Sequence, residues 1–150
     1  MKKLLLLIFV GLFIFAGATF VYAGGTKAEA KALVERAAEF LKANGKEKTL
    51  AEISKPEGQF DKGEVYVYAF DMKGTVLAHP KNPELIGKNT YNIPDEDGKF
   101  FRKDIIKLAK AKGSGWVDYK YLNPETKKIG SKTTYVLRAR DIILCCGVYK

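Results

Sequence analysis

The residues able to do chemistry are few. The chain holds one histidine, two cysteines and eight tyrosines among 150 residues. His79 ends the stretch "GTVLAHP", with Pro80 directly behind it. One histidine could serve as one general base. A nucleophile needs a base and an orienting acid around it, and no serine or cysteine here carries such a signature. Ser114 sits in "KGSGW", which lacks the first glycine of a nucleophile elbow. Cys145 and Cys146 lie in an apolar run, where burial raises a thiol pKa and lowers its reactivity. They read as two small hydrophobes. The chain is therefore expected not to be an enzyme.

Metal chemistry is excluded on similar grounds. Zinc wants several His or Cys ligands at set spacings, and one His with an adjacent Cys pair does not supply them. In "IPDEDGKFFRKD", Asp95, Asp97, Gly98 and Asp104 fall where a calcium loop wants ligands, but Ile93 holds the first ligand position. That stretch reads as a polar turn before a helix. No Gly-rich phosphate loop and no CxxCH haem site is present, so no cofactor is expected.

What remains is a lined pocket. Tyr66, Tyr68, Tyr119, Tyr121 and Tyr135, with His79 and Lys132, would place donors inside apolar walls. That mixture suits a small organic anion held by a few charge-assisted hydrogen bonds. The competing reading is that these tyrosines fill the core with their hydroxyls at its edge. Pro80 ends the strand and would set the imidazole at a rim, where its hydrogen bond would vary near neutral pH.

The elements that must position these groups follow from periodicity. Thr26-Lys27-Ala28-Glu29 is a capping box, and apolar residues recur at Ala30, Leu33, Val34, Ala37, Phe40 and Leu41. This spacing predicts a helix over 26–44, closed by Asn44-Gly45. A second T-x-x-E box at Thr49 predicts a short helix over 49–54. "VYVYAF" (65–70) is a strand apolar on both faces, and "TVLAH" (75–79) returns as its hairpin partner. Pro80, Pro83 and Pro94 punctuate an irregular stretch before a helix over 99–112. "WVDYKYL", "SKTTYVLRA" and "DIILCCGVY" read as three more strands, the last two joined at Arg140-Asp141. The sum is an α+β fold with about five antiparallel strands.

The amino terminus is a separate matter. Met1-Lys2-Lys3 followed by "LLLLIFVGLFIFAGA" and "VYA" reads as a signal peptide over 1–23, cleaved after Ala23. Alternatively, residues 4–23 could anchor the chain in the inner membrane. Either way residues 24–150 form one domain outside the cytoplasm, periplasmic or secreted. The formal charge is +9, two of it on Lys2 and Lys3. The remaining cations are interspersed with acids, so no nucleic-acid partner is expected.

Four pieces in order carry a resemblance: "VYVYAFDMKGTVLAHPKNPELIGKN", "DEDGKFF", "GSGWVDYKYLNPETKKIGSKTTYV" and "GVY". Together they resemble the single Cache domain, the exported PAS-like sensor module of bacterial chemoreceptors and sensor kinases. The likeness covers about 27–150. It implies a long N-terminal helix behind a five-stranded antiparallel sheet, with a small-metabolite ligand, often a short carboxylate, on the other face. Carried onto this sequence, it implies ligand-binding roles for Tyr66, Tyr68, His79, Pro80, Trp116, Tyr119, Lys132 and Tyr135. Lys132 and Tyr135 have opposite strand parity, so a bulge or a strand-end position for Lys132 is needed to unite them. The chain ends at Tyr149-Lys150, just after the last strand. The expectation is thus a free binding protein, homodimeric or docking on a separate membrane-bound chemoreceptor or sensor kinase. The alternative is an interaction module without ligand that pairs through its N-terminal helix.

Overall fold

The computed structural model describes residues 24–150. The expected signal peptide or anchor over 1–23 lies outside the described residues. Among the described residues, no helix is long and apolar enough to cross a membrane.

Helix α1 spans Lys27–Asn44 and begins as expected: the Thr26 hydroxyl accepts from the Glu29 amide, and the Glu29 carboxylate accepts from the Thr26 amide. Its buried stripe is Ala30, Leu33, Val34, Ala37 and Leu41. Gly45, at φ +81°, ends α1 and starts α2, Lys46–Ile53. The second helix thus begins three residues before the position that the T-x-x-E pattern predicts. Thr49 does not cap it; its hydroxyl donates back to the Gly45 carbonyl at 2.7 Å from inside the helix.

The strands are β1 (Asp61–Lys62), β2 (Val65–Asp71), β3 (Val76–Ala78), β4 (Ser114–Leu122), β5 (Ile129–Ala139) and β6 (Ile142–Tyr149). All pairings are antiparallel, in the order β1-β2-β6-β5-β4, with β3 also on β2. The two-residue β1 is the addition to the expected five. Helix α3, Phe101–Lys112, starts two residues later than the pattern suggests.

The sheet separates two apolar layers. Val65, Val67, Ala69, Leu144, Cys146 and Val148 face α1. Tyr66, Tyr68, Phe70, Tyr119, Val136, Ile143 and Cys145 face α3. Small residues on the α1 side allow a close helix approach. Each fully buried Leu, Ile or Val there contributes roughly 1.5–3 kcal/mol.

Between β3 and α3 the chain runs irregularly but is tied down. Residues 87–90 follow the free edge of β3, with Gly87 N donating to Val76 O, Val76 N to Lys88 O and Thr90 N to Gly74 O. Further on, Asp95 accepts from the amides of Asp97, Lys99 and Lys120. The stretch that resembles a calcium loop is therefore a carboxylate pinning the loop to β4. Among the described residues, no group of acidic, His or Cys side chains could hold a metal ion.

Candidate functional site

On the α3 side of the sheet a cleft is lined by Tyr66, Tyr68, His79, Arg102, Tyr119 and Lys132, with Tyr121, Phe101, Phe70, Val76 and Leu85 completing its walls. The space open to a water-sized sphere is only ≈ 10 Å³, room for about one water. Rings press in from both sides: Phe101 stacks on Tyr119 with centroids 3.8 Å apart, and His79 stacks on Tyr68 at 5.4 Å.

Lys132 is at the centre of the cleft and 1% exposed. It lies on β5 opposite Tyr119 of β4 and Tyr149 of β6. Its stem crosses β6 over Gly147, where an added Cβ would sit 2.6 Å from Lys132 Cε and 2.3 Å from Thr134 Oγ1. The glycine is what lets the ammonium reach β2. There Nζ donates to Tyr66 Oη at 3.0 Å and lies over the Tyr66 ring at 4.3 Å and the Tyr149 ring at 5.0 Å. Among the described residues no carboxylate pairs with it; the ion pairs all involve other lysines.

Beneath the ammonium lies a closed hydroxyl cluster. Tyr68 and Tyr119 share a hydrogen bond of 2.7 Å, and Tyr119 meets Thr134 Oγ1 at 2.9 Å. Burial pushes the phenol pKa values of Tyr66, Tyr68 and Tyr119 upward, so all three stay protonated donors at neutral pH. Burial likewise raises both thiols, and Cys145 and Cys146 are unreactive packing groups on opposite faces of β6.

His79 is not at a rim. It is buried just past the end of β3, and its Nδ1 accepts from the amides of Lys81 (3.2 Å) and Asn82 (3.1 Å). Pro80 makes this turn and is itself buried, but it does not line the cleft. With Nδ1 accepting, the neutral ring carries its proton on Nε2. Burial, and then the nearby charges of Lys132, Arg102 and Lys81, hold the imidazole pKa down at about 3. The expectation of a hydrogen bond that varies near neutral pH is corrected accordingly: His79 is a fixed neutral donor.

Two implied site residues are elsewhere. Trp116 and Tyr135 face each other across β4 and β5, with centroids 5.3 Å apart, in the layer under α1. Lys27 and Lys31 of α1 lie over their rings at 4.3 and 5.8 Å. Alternation is the physical reason. Pairing through β4–β5–β6 is regular, with no bulge, so Lys132 and Tyr119 point one way and Tyr135 and Trp116 the other.

Of the cleft residues that the sequence did not point to, which include Phe70, Val76, Leu85 and Phe101, Arg102 is the charged one. Arg102 is 6% exposed, lies over the Phe101 ring at 4.2 Å, and donates through a terminal nitrogen to Ile93 O at 3.2 Å. Its Nε is buried without a hydrogen-bond partner. The signal was its position three and four residues before Ile105 and Ile106, on the buried stripe of α3. The cleft thus carries two buried cations, a neutral imidazole and no lining carboxylate, an arrangement that can hold a small anion.

The comparisons with known proteins bear on the fold and the family. The chain is 32% identical over 72 residues to the sensor histidine kinase MctS of Rhizobium johnstonii, a match covering 48% of this chain and 15% of that protein. It is 28% identical over 86 residues to the methyl-accepting chemotaxis protein McpP of Pseudomonas putida, covering 56% and 16%. The aligned parts are therefore about a sixth of those receptors. Among solved structures, a Cache chemosensory domain described for its carboxylic acid recognition superposes with a TM-score of 0.64 at 27% identity, covering 81% of this chain and 86% of that one. A methyl-accepting chemotaxis protein from Vibrio parahaemolyticus gives 0.72 at 22% identity, covering 82% and 87%, which supports the fold. The Cache domain family model matches residues 26–149, and the chain belongs to that family.

Proposed function

We propose that residues 24–150 form an extracytoplasmic sensing domain that reversibly binds a small organic anion, a short carboxylate or an amino acid, through Lys132. The observation that carries this reading is the buried ammonium of Lys132, 1% exposed and without a carboxylate partner among the described residues. A buried charge is normally paired, and an incoming carboxylate would supply the pair. Tyr66 Oη and His79 Nε2–H add neutral donors for its oxygens. The likeness to a carboxylic-acid-binding Cache domain supports the same ligand class. The leader-like residues 1–23 support export, and the two curated relatives support a place in chemoreceptor or kinase signalling.

The cleft as it stands admits about one water. Binding therefore requires the rings of Phe101, Tyr119 and His79 to part. The same tightness favours a second reading, an interaction module whose pocket is filled by its own tyrosines. Titration calorimetry of residues 24–150 with acetate, propionate, pyruvate, lactate and amino acids separates the two. At least one is expected to bind, and Lys132→Ala to abolish binding. Unchanged affinity in that variant rejects the role of Lys132. A stable dimer with no heat from any ligand supports the second reading.

A further inference from the structure

An open groove of ≈ 450 Å³ runs between α3 and Tyr91 and shares no lining residue with the cleft. Its rim is lysine: Lys103, Lys107 and Lys110 recur at i, i+4 and i+7 and form one stripe along α3. Among the described residues none of the three is in an ion pair. The acid that lines the groove, Asp104, lies 3.6 Å from Lys99. Like charges at i and i+4 weaken a helix, and here no counter-charge offsets them. The floor is apolar, made by Ile106, Ala111 and the Tyr91 ring. Its far wall is preformed. Gly74, at φ +93°, brings the β2–β3 turn so close that an added Cβ would lie 2.8 Å from Tyr91 Cβ and 3.2 Å from Ile106 Cδ1. Thr90 fixes that contact, donating from its amide and its hydroxyl to Gly74 O at 2.9 and 3.2 Å.

We infer that this groove docks an acidic amphipathic segment of a partner protein, with carboxylates on the lysine rim and aliphatic side chains on the floor. The inference is independent of the ligand reading of the cleft. Three unpaired ammonium groups in one row call for an anion of matching spacing. The apolar floor calls for one that carries apolar groups between its charges, as a helical or extended peptide does. A second copy of this chain is a poor occupant, because the chain is net basic and acids of α1 are already engaged by its own lysines, Glu35 by Lys31 and Glu39 by Lys42. A bilayer is a poor occupant as well. An anchor over 4–23 would enter the domain at Gly24, where an added Cβ would touch Glu64 just before β2. Gly74 lies beyond the other end of that seven-residue strand, about 20 Å away. Exposed lysines each contribute little, so the contact is a transient one.

The probe is a fluorescein-labelled peptide, EELAEELAEELAEE, followed by fluorescence anisotropy with residues 24–150 at low salt. It is expected to bind with a sub-millimolar Kd that weakens as salt rises. Replacing Lys103, Lys107 and Lys110 together by Gln is expected to weaken binding about tenfold or more; thermal unfolding checks that this variant folds. Replacing Lys48, Lys62 and Lys128 by Gln removes the same charge from exposed positions elsewhere and is expected to change Kd less than twofold. A peptide with serine for each leucine is expected to bind several-fold more weakly. Equal loss in the two triple variants overturns the inference, since net charge alone would then explain binding. Equal affinity for the serine peptide overturns it by removing the role of the floor. No peptide binding overturns it outright. Uptake by vesicles of 70% phosphatidylcholine and 30% phosphatidylglycerol, lost with Lys103, Lys107 and Lys110 while the peptide does not bind, overturns it in favour of a bilayer.

Discussion

Replacing Lys132 with methionine separates a cation kept for a ligand from one kept for the fold. Methionine retains the stem that lies over Gly147 and can still touch the four surrounding tyrosine rings, but it has no charge. Holding an ammonium out of water costs several kcal/mol. The hydrogen bond to Tyr66 offsets roughly 1.5–3 kcal/mol, and the nearest ring face, 4.3 Å away, about 2 kcal/mol more. The other three rings, at 5.0, 5.6 and 5.6 Å, lie toward the far edge of cation–π reach and each return less than the nearest one. Without ligand, Lys132→Met should therefore be more stable than the native chain by about 1–3 kcal/mol. For a domain of this size that raises Tm by roughly 3–10 °C. The same change should weaken carboxylate binding by two to three orders of magnitude, since removing one partner of a buried ion pair costs about 3–5 kcal/mol. Urea unfolding without ligand and calorimetry with ligand read the two effects separately. A variant less stable than the native chain by about 2 kcal/mol would show that the ammonium holds the tyrosines together, and the argument from an unneutralised charge would fail.

Two further outcomes follow from the same geometry. The imidazole of His79, held at about 3 against an ordinary 6.5, binds its proton more readily unfolded than folded. Its contribution is therefore complete above pH ~6.5 and declines by about 1.4 kcal/mol per pH unit as the pH falls toward 3. His79→Asn keeps an acceptor for the Lys81 and Asn82 amides without titrating, so the stability gap between native and variant should narrow by about 2 kcal/mol between pH 7 and 5; a gap independent of pH in urea titrations would refute this. Gly147→Ala would drive a methyl against Thr134 Oγ1 and Lys132 Cε, and should cost about 1–3 kcal/mol by urea unfolding while displacing the ammonium enough to weaken carboxylate binding. Native-like stability with native affinity would show that Lys132 does not need that gap.

The fold was legible because its determinants are local. The Thr26 capping box, the α1 stripe and the alternation of "VYVYAF" each specify an element without reference to the others. Expectations slipped where tertiary context overrode a local motif. Thr49 and Glu52 fit a capping box, yet Gly45 at φ +81° already turns the chain into α2, and Thr49 is left inside the helix. The start of α3 slipped for a related reason: Lys99 is held outside the helix because its amide donates to Asp95, whose other oxygen is fixed on β4.

The candidate site was legible only by halves, and strand alternation shows why. "KxxY" and "GWVDY" draw Lys132 with Tyr135, and Trp116 with Tyr119, into single motifs. Residues three apart on an unbulged strand project to opposite faces. Each motif therefore serves both layers at once: Trp116 and Tyr135 seat helix α1, while Tyr119 and Lys132 form the cleft. Residues read together as one motif need not act as one. Arg102 illustrates the converse. It belongs to no motif, and an arginine on an amphipathic helix ordinarily faces water. Only the packing of α3 on the tyrosine face of the sheet shows that position 102 points inward with Ile105 and Ile106. Holding an anion here would require charge where the sheet is otherwise apolar. One of the two charges came from a strand whose alternation could be read, and the other from a helix whose rotation about its axis depends on what it packs against.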